Sequence, residues 1–193
     1  RLLKSGVHDR AFFQDLYRTI SSGKTWRGTV CNRAKAGHLY WVDTTIVSNR
    51  GADGRILGYT AIRFDVTPLK HARQSLWDQA HFDALTGVAN RLHFLNLLDK
   101  RTLTAKGEPF CVAMLDLDHF KEVNDAGGHD AGDILLTTVA KITASHLQDG
   151  EVLGRLGGDE FALVLNTSQD PAHLDARLRA ILQDIHAFRL DNS

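Results

Sequence analysis

Two acidic clusters, each delivered by an apolar run, constrain this chain more than any other feature. Phe110 to Leu115 lead into Asp116-Leu117-Asp118-His119-Phe120-Lys121, with Asn124-Asp125 and Gly128-His129-Asp130-Ala131-Gly132-Asp133 just beyond. Val152, Leu153 and Leu156 lead into Gly157-Gly158-Asp159-Glu160-Phe161. Short apolar runs bounded by turn residues read as strands, so both groups of carboxylates sit at strand ends. Asp116 and Asp118 occupy alternate positions and share a face in an extended segment. Bringing the two clusters together concentrates negative charge, which is costly unless a divalent cation neutralises it. Mg²⁺ suits such a site, because it takes a few carboxylates and completes its shell with phosphate and water. The Gly157-Gly158 pair permits positive φ and leaves no Cβ between a ligand and the backbone, although a hairpin loop alone also explains it. Lys121 can meet phosphate oxygens as a point charge. Together these residues point to metal-assisted phosphoryl transfer.

Asn124 and Asp133 add a candidate purine reader. A carboxylate accepts from N1–H and the exocyclic amine of guanine, and an amide contacts the same base at another edge. Adenine has no N1–H and would leave a buried Asp unpaired. Spacing alone leaves open that Asp133 caps the start of a helix.

Composition narrows the classes. The 23 basic and 23 acidic side chains cancel, which argues against broad binding to nucleic acid or an anionic membrane surface. The two cysteines, Cys31 and Cys111, lie far apart in strand-like contexts without metal-ligand spacing, and are expected as reduced thiols of a cytoplasmic protein. No apolar run reaches the ~18 residues of a membrane span. The chain opens in mid-pattern, which leaves room for an anchor upstream.

The 193 residues are enough for one large domain or two small ones, and the pattern changes near residue 66. Residues 7–23 carry Phe12, Phe13, Leu16, Tyr17 and Ile20 at helical spacing. Three strand-like runs follow, Trp26 to Arg33, His38 to Ser48 and Ile56 to Phe64, separated by Gly-containing turns, as in an antiparallel meander. Thr67-Pro68 starts a helix to about Ala80, with Leu69, Ala72 and Leu76 as a short coiled-coil-like stripe. That helix is either a packed linker or a dimerising signalling helix. Further on, a helix with Leu92, Leu95 and Leu98 on one side precedes the strand at Phe110 to Leu117. A helix from Ala131 to Leu147 is expected to turn Leu135, Val139, Ile142 and Leu147 inward. A hairpin over 151–165 and a last helix from Pro171 to about Phe188 complete an α-β-α-β-β-α order.

Two resemblances sharpen this reading. Gly23-Lys24-Thr25-Trp26-Arg27-Gly28, Gly37-His38-Leu39-Tyr40-Trp41, Asp53-Gly54-Arg55-Ile56 and Asp65-Val66-Thr67 resemble the C-terminal half of a PAS sensor domain, with the strands before it absent. Trp26, Trp41 and Phe64 are expected in its core, and His8 and His38 on its surface; its ligand stays unknown. Asp83-x-Leu85-Thr86-Gly87-x-x-Asn90-Arg91, Asp116-x-Asp118-x-Phe120-Lys121-x-x-Asn124-Asp125, Gly128-His129-x-x-Gly132-Asp133 and Gly157-Gly158-Asp159-Glu160-Phe161 resemble the GGDEF domain of diguanylate cyclases. The implied fold is α+β: a partial PAS sheet over residues 1–66, a linker helix over 67–80, and a ferredoxin-like or palm-type sandwich over 81–193. The implied activity is condensation of two GTP into cyclic di-GMP with release of pyrophosphate, each subunit of a homodimer holding one GTP with Mg²⁺ or Mn²⁺.

On that resemblance Asp116 and Asp159 would ligate metal with the Leu117 carbonyl, and Glu160 would activate the 3′-hydroxyl or bind a second metal. Lys121 would hold phosphate, Asn124 and Asp133 the guanine, and Gly157 and Gly158 would let phosphates lie on the backbone. Asp118 would play a supporting structural role. The family's inhibitory product site, an Arg-x-x-Asp, is replaced by Gln148 and Glu151, so product inhibition through it is expected to be weak or absent. The family's further strands and triphosphate-binding basic pair are not met before Asp191-Asn192-Ser193, so the domain is expected to be C-terminally short.

Overall fold

The computed structural model describes residues 5–104, 109–167 and 171–188. Asp191, Asn192 and Ser193, where the sequence suggests a shortened domain, lie outside them. Contacts divide the chain into Arg1–Ser75 and Leu76–Ser193.

In the first unit, α1 (Arg10–Ser21) is capped by Asp9, whose carboxylate accepts the Phe12 N–H at 2.8 Å. Strands β1 (Trp26–Arg33), β2 (Leu39–Arg50) and β3 (Ile56–Asp65) form the expected antiparallel meander in the order β1-β2-β3. Leu16 and Ile20 of α1 bury themselves against Trp26 and Ile46 of the sheet. Two expectations fail here. Phe64 is 68% exposed rather than core, because it lies on β3, an edge strand whose residues are exposed on both faces from Tyr59 to Asp65. His8 is half-buried rather than a surface residue: its Nε2 accepts the Cys31 N–H at 2.8 Å and its ring stacks on Phe12. Trp26 is buried, Trp41 is half-buried under Lys70, and His38 is exposed as expected. Cys31 is a buried free thiol and Cys111 a half-buried one.

Helix α2 (Thr67–His81) crosses the boundary between the units and buries none of its residues; Leu69 and Leu76 are both exposed. Among the described residues no helix is long and apolar enough to cross a membrane.

In the second unit a two-residue strand, β4 (Ala89–Asn90), precedes α3 (Arg91–Thr104). Strand β5 (Phe110–Asp116), helix α4 (Phe120–Ser145), strands β6 (Val152–Gly157) and β7 (Glu160–Asn166) and helix α5 (Pro171–Ala187) follow. The sheet order is β4-β6-β7-β5; β7 runs antiparallel to both neighbours, and β4 is parallel to β6. Alternation along β7 separates two cores. Phe161, Leu163 and Leu165 face Leu136, Val139 and Ala140 of α4 and Ile181 of α5, while Ala162 and Val164 face Phe94 of α3. The β5-α4-β6-β7-α5 run has a ferredoxin-like order; β4 extends the sheet beside β6, and α3 adds a third layer on the face away from α4 and α5.

Two helices depart from expectation. In α3 the inward residue is Phe94, 2% exposed, while Leu92 and Leu95 face solvent at 64% and 41%. Gly154 decides this: a Cβ there would come within 2.6 Å of Phe94, so the bare backbone of β6 accepts the ring. Helix α4 starts at Phe120 rather than Ala131, because a single non-helical residue, Gly128 at φ 77° and ψ 173°, joins two helical stretches that composition suggests are loop and helix. Within it Leu136, Val139, Ala140 and Thr143 are buried, with Leu135 and Leu147 packed against them.

Candidate active site

Strand pairing brings the two acidic clusters together. Asp116, the last residue of β5, is the register partner of Glu160, the first residue of β7. Gly157 at the end of β6 pairs with the same Glu160, so Gly158 and Asp159 form the tip of the hairpin. Gly158 has φ 50°, a left-handed conformation that glycine adopts without steric cost. Asp116 and Glu160 are exposed, and Asp159 is half-buried.

After Asp116 the chain reverses sharply. The Leu117 carbonyl accepts the Phe120 N–H at 3.3 Å, which leaves its second lone pair free, while the Leu117 side chain packs against the core. His119 adopts φ 61°, the one positive φ outside glycine among the described residues. Its Nδ1 lies 2.9 Å from Glu122 Oε1, and that hydrogen bond with the carboxylate charge holds the imidazole above its ordinary value. The reversal puts Lys121 in the first turn of α4, exposed on the side where β5 ends.

Among the described residues, the side chains of Asp116, Asp118, Lys121, Asp159 and Glu160 make no hydrogen bond or ion pair with one another or with their surroundings. Among the described residues no three carboxylate, imidazole or thiol groups converge as a ready-made metal cage. What the fold provides is hard oxygen donors: two carboxylates in register, a third at the hairpin tip, and the Leu117 carbonyl. That donor chemistry fits Mg²⁺, which is held through one or two carboxylates plus substrate phosphate and water rather than an all-protein cage.

Asn124 and Asp133 lie on opposite sides of the Gly128 break, in the two stretches of α4. Asn124 is half-buried and Asp133 exposed. Asp133 sits inside the helix, with its carbonyl accepting from Thr137 Oγ1 at 2.8 Å, so the capping role that spacing left open does not apply.

Arg155 is a residue the sequence reading missed. From β6 its Nε and Nη2 donate to the Gly158 carbonyl at 2.9 and 2.6 Å, and its Nη1 donates to Asp83 Oδ1 at 3.1 Å. Asp83 also accepts the Thr86 N–H at 2.9 Å and the Thr86 hydroxyl at 2.6 Å. Burial pushes the Asp83 carboxyl up, but Thr86 and the Arg155 guanidinium outweigh it and hold the group below its ordinary value. A lone arginine just before a glycine turn, with a single acid in the preceding motif, was the available signal.

Gln148 is exposed, whereas the Glu151 side chain is fully buried. Its oxygens accept from Arg177 at 2.9 and 2.6 Å, from the Asn166 N–H at 2.8 Å and from the Gln148 N–H at 2.8 Å. Burial raises this carboxyl, and the Arg177 and backbone hydrogen bonds together bring it below its ordinary value.

Residues 80–191 match the family model described as "Diguanylate cyclase, GGDEF domain". This chain belongs to the GGDEF family. The chain shares 37% identity over 160 residues with the diguanylate cyclase DgcP of Escherichia coli, covering 82% of this chain and 46% of that protein. It shares 36% over 130 residues with the cyclic di-GMP phosphodiesterase NbdA of Pseudomonas aeruginosa, covering 66% of this chain and 17% of NbdA. The chain thus spans less than half the length of either relative. Among solved structures, the coiled coil and GGDEF domain of DgcB from Caulobacter crescentus, in complex with c-di-GMP, is 31% identical with a TM-score of 0.55, covering 60% of this chain and 61% of that one.

Proposed function

We propose that this GGDEF domain is a diguanylate cyclase, condensing two GTP into cyclic di-GMP and two pyrophosphates. The observation that carries the reading is the register of Asp116 with Glu160, which sets uncompensated carboxylates side by side at the strand ends. A site of this kind stores like-charge repulsion that a Mg²⁺–nucleotide complex relieves. Asp116, Asp159 and the Leu117 carbonyl would hold Mg²⁺ or Mn²⁺, whose contribution is to neutralise charge developing on the transferred phosphoryl group. Glu160 takes the proton of the attacking 3′-hydroxyl or adds to the metal ligands. Lys121 neutralises phosphate charge, and the bare Gly157 and Gly158 backbone admits the phosphates. Asn124 and Asp133 hold the guanine. Each nucleotide supplies its 3′-oxygen to the other's α-phosphorus, so two sites must face one another in a homodimer, and each P–O bond formed expels one pyrophosphate.

In the same reading residues 1–66 are the C-terminal part of a PAS sensor, residues 67–80 a signalling helix, and the protein acts in the cytoplasm. The antiparallel meander and the unburied α2 support this. The match to NbdA favours a second reading, a catalytically silent GGDEF domain that binds GTP or cyclic di-GMP as a regulator. Incubating the full-length protein with Mg²⁺ and either GTP or ATP separates them. The cyclase forms a cyclic dinucleotide from GTP alone, and Asp133→Ala weakens that base preference. Tight GTP binding without product supports the silent regulator.

A further inference from the structure

Gly132 occupies a position where glycine is conformationally unfavourable and nothing in its own backbone calls for it. Its backbone is helical, since the only non-helical residue inside α4 is Gly128. A glycine in a helix interior is less favourable than alanine. Gly128 earns its place by a φ of 77° with open space around it. Gly132 is different: it is buried, and a Cβ there would collide with Asn124 Oδ1, come to 3.0 Å from Asn124 Cγ and to 3.1 Å from Phe120 Cζ. The Asn124 amide lies in the volume that a side chain at 132 would fill.

This contact spans the Gly128 break. The kink folds the first stretch of α4 back so that Asn124 rests on the second stretch, one residue before Asp133. Asn124 is half-buried and its amide makes no hydrogen bond among the described residues. Packing on Gly132, rather than a polar partner, therefore fixes where the amide sits. The colliding atom is the end of a short side chain, so a methyl group at 132 displaces the amide without breaking the helix.

We propose that Gly132 is a positioning residue for nucleotide recognition: its missing side chain seats the Asn124 amide next to Asp133, so that both reach one guanine. This rests on the cyclase reading for the identity of the ligand. A residue with this role sets affinity and leaves the chemistry alone.

The test is a double-mutant cycle on the full-length protein, reading the GTP dissociation constant, kcat at saturating GTP and the thermal midpoint for wild type, Gly132→Ala, Asn124→Ala and the double variant. Gly132→Ala is expected to weaken GTP binding about tenfold, the scale of one lost hydrogen bond to a base. Its kcat and midpoint stay close to wild type, and Asn124→Ala loses a comparable amount of affinity. The double variant is no weaker than either single change, because both remove the same contact. Unchanged affinity in Gly132→Ala, additive losses, or a loss that follows a lowered midpoint overturns the inference. Wild-type protein that binds GTP but forms no product contradicts the cyclase reading and leaves this binding cycle decisive.

Discussion

Arg155 clamps the hairpin tip to the start of the domain: one guanidinium holds both the Gly158 carbonyl, at 2.6 Å, and the Asp83 carboxylate, at 3.1 Å. The fork geometry of arginine lets one side chain serve two acceptors in different segments. Arg155→Lys keeps the charge and loses the fork, so it is expected to lower GTP turnover substantially at little cost in stability. Arg155→Ala leaves the part-buried Asp83 carboxylate with Thr86 but without its charge partner, and costs about 1–3 kcal/mol. Urea unfolding alongside steady-state turnover measures both.

Glu151 and Asp83 make stability depend on acid pH. Both carboxyls sit below their ordinary values of 4.5 and 3.8 in the folded protein. The folded state therefore binds fewer protons at these groups than the unfolded chain. Their contribution is complete above the ordinary carboxylate range and is lost as pH falls through the lower folded values. Glu151→Gln should flatten the decline in unfolding free energy between about pH 5 and pH 3. It also destabilises the protein at neutral pH by about 3 kcal/mol, because Arg177 is left without its charge partner. Denaturant titrations at stepped pH read out both effects.

Asp116 and Glu160 oppose each other across β5 and β7, and among the described residues neither carboxylate forms an ion pair. Like charges directly opposite in a sheet are destabilising. Asp116→Asn is therefore expected to raise stability by a few tenths of a kcal/mol in the absence of divalent metal, and to abolish turnover. Mg²⁺ with GTP should raise the melting temperature of the wild type, and chelation should reverse it, while Asp116→Asn responds little. Differential scanning calorimetry with and without chelator tests this.

Gly154 is the floor on which Phe94 packs. Gly154→Ala places a methyl within 2.6 Å of the ring, in a core that cannot yield freely. The expected cost is about 1–3 kcal/mol, seen as a lowered urea midpoint with an unchanged m-value.

The strands, the hairpin at Gly157-Gly158 and the gathering of Asp116 with Glu160 were legible because apolar runs, glycines and alternation are local signals. Three features were not. The early start of α4 was hidden because Gly127-Gly128 reads as loop, whereas only Gly128 leaves helical geometry. The burial of Phe94 in α3 could not be singled out because periodicity counts apolar residues equally, and the space that chooses Phe94 is made by Gly154 in a distant strand. The Glu151–Arg177 and Asp83–Arg155 pairs join residues 26 and 72 positions apart, and pairing at that range is a property of the fold rather than of any window of sequence.

Identifying the nucleotide formed from GTP tests the central claim most directly. Full-length protein with Mg²⁺ and GTP, followed by mass spectrometry of the products, should give cyclic di-GMP with two pyrophosphates per product. Glu160→Gln, folded and still binding GTP, should give neither. A wild-type dimer that binds GTP and Mg²⁺ yet releases no cyclic di-GMP would contradict the account.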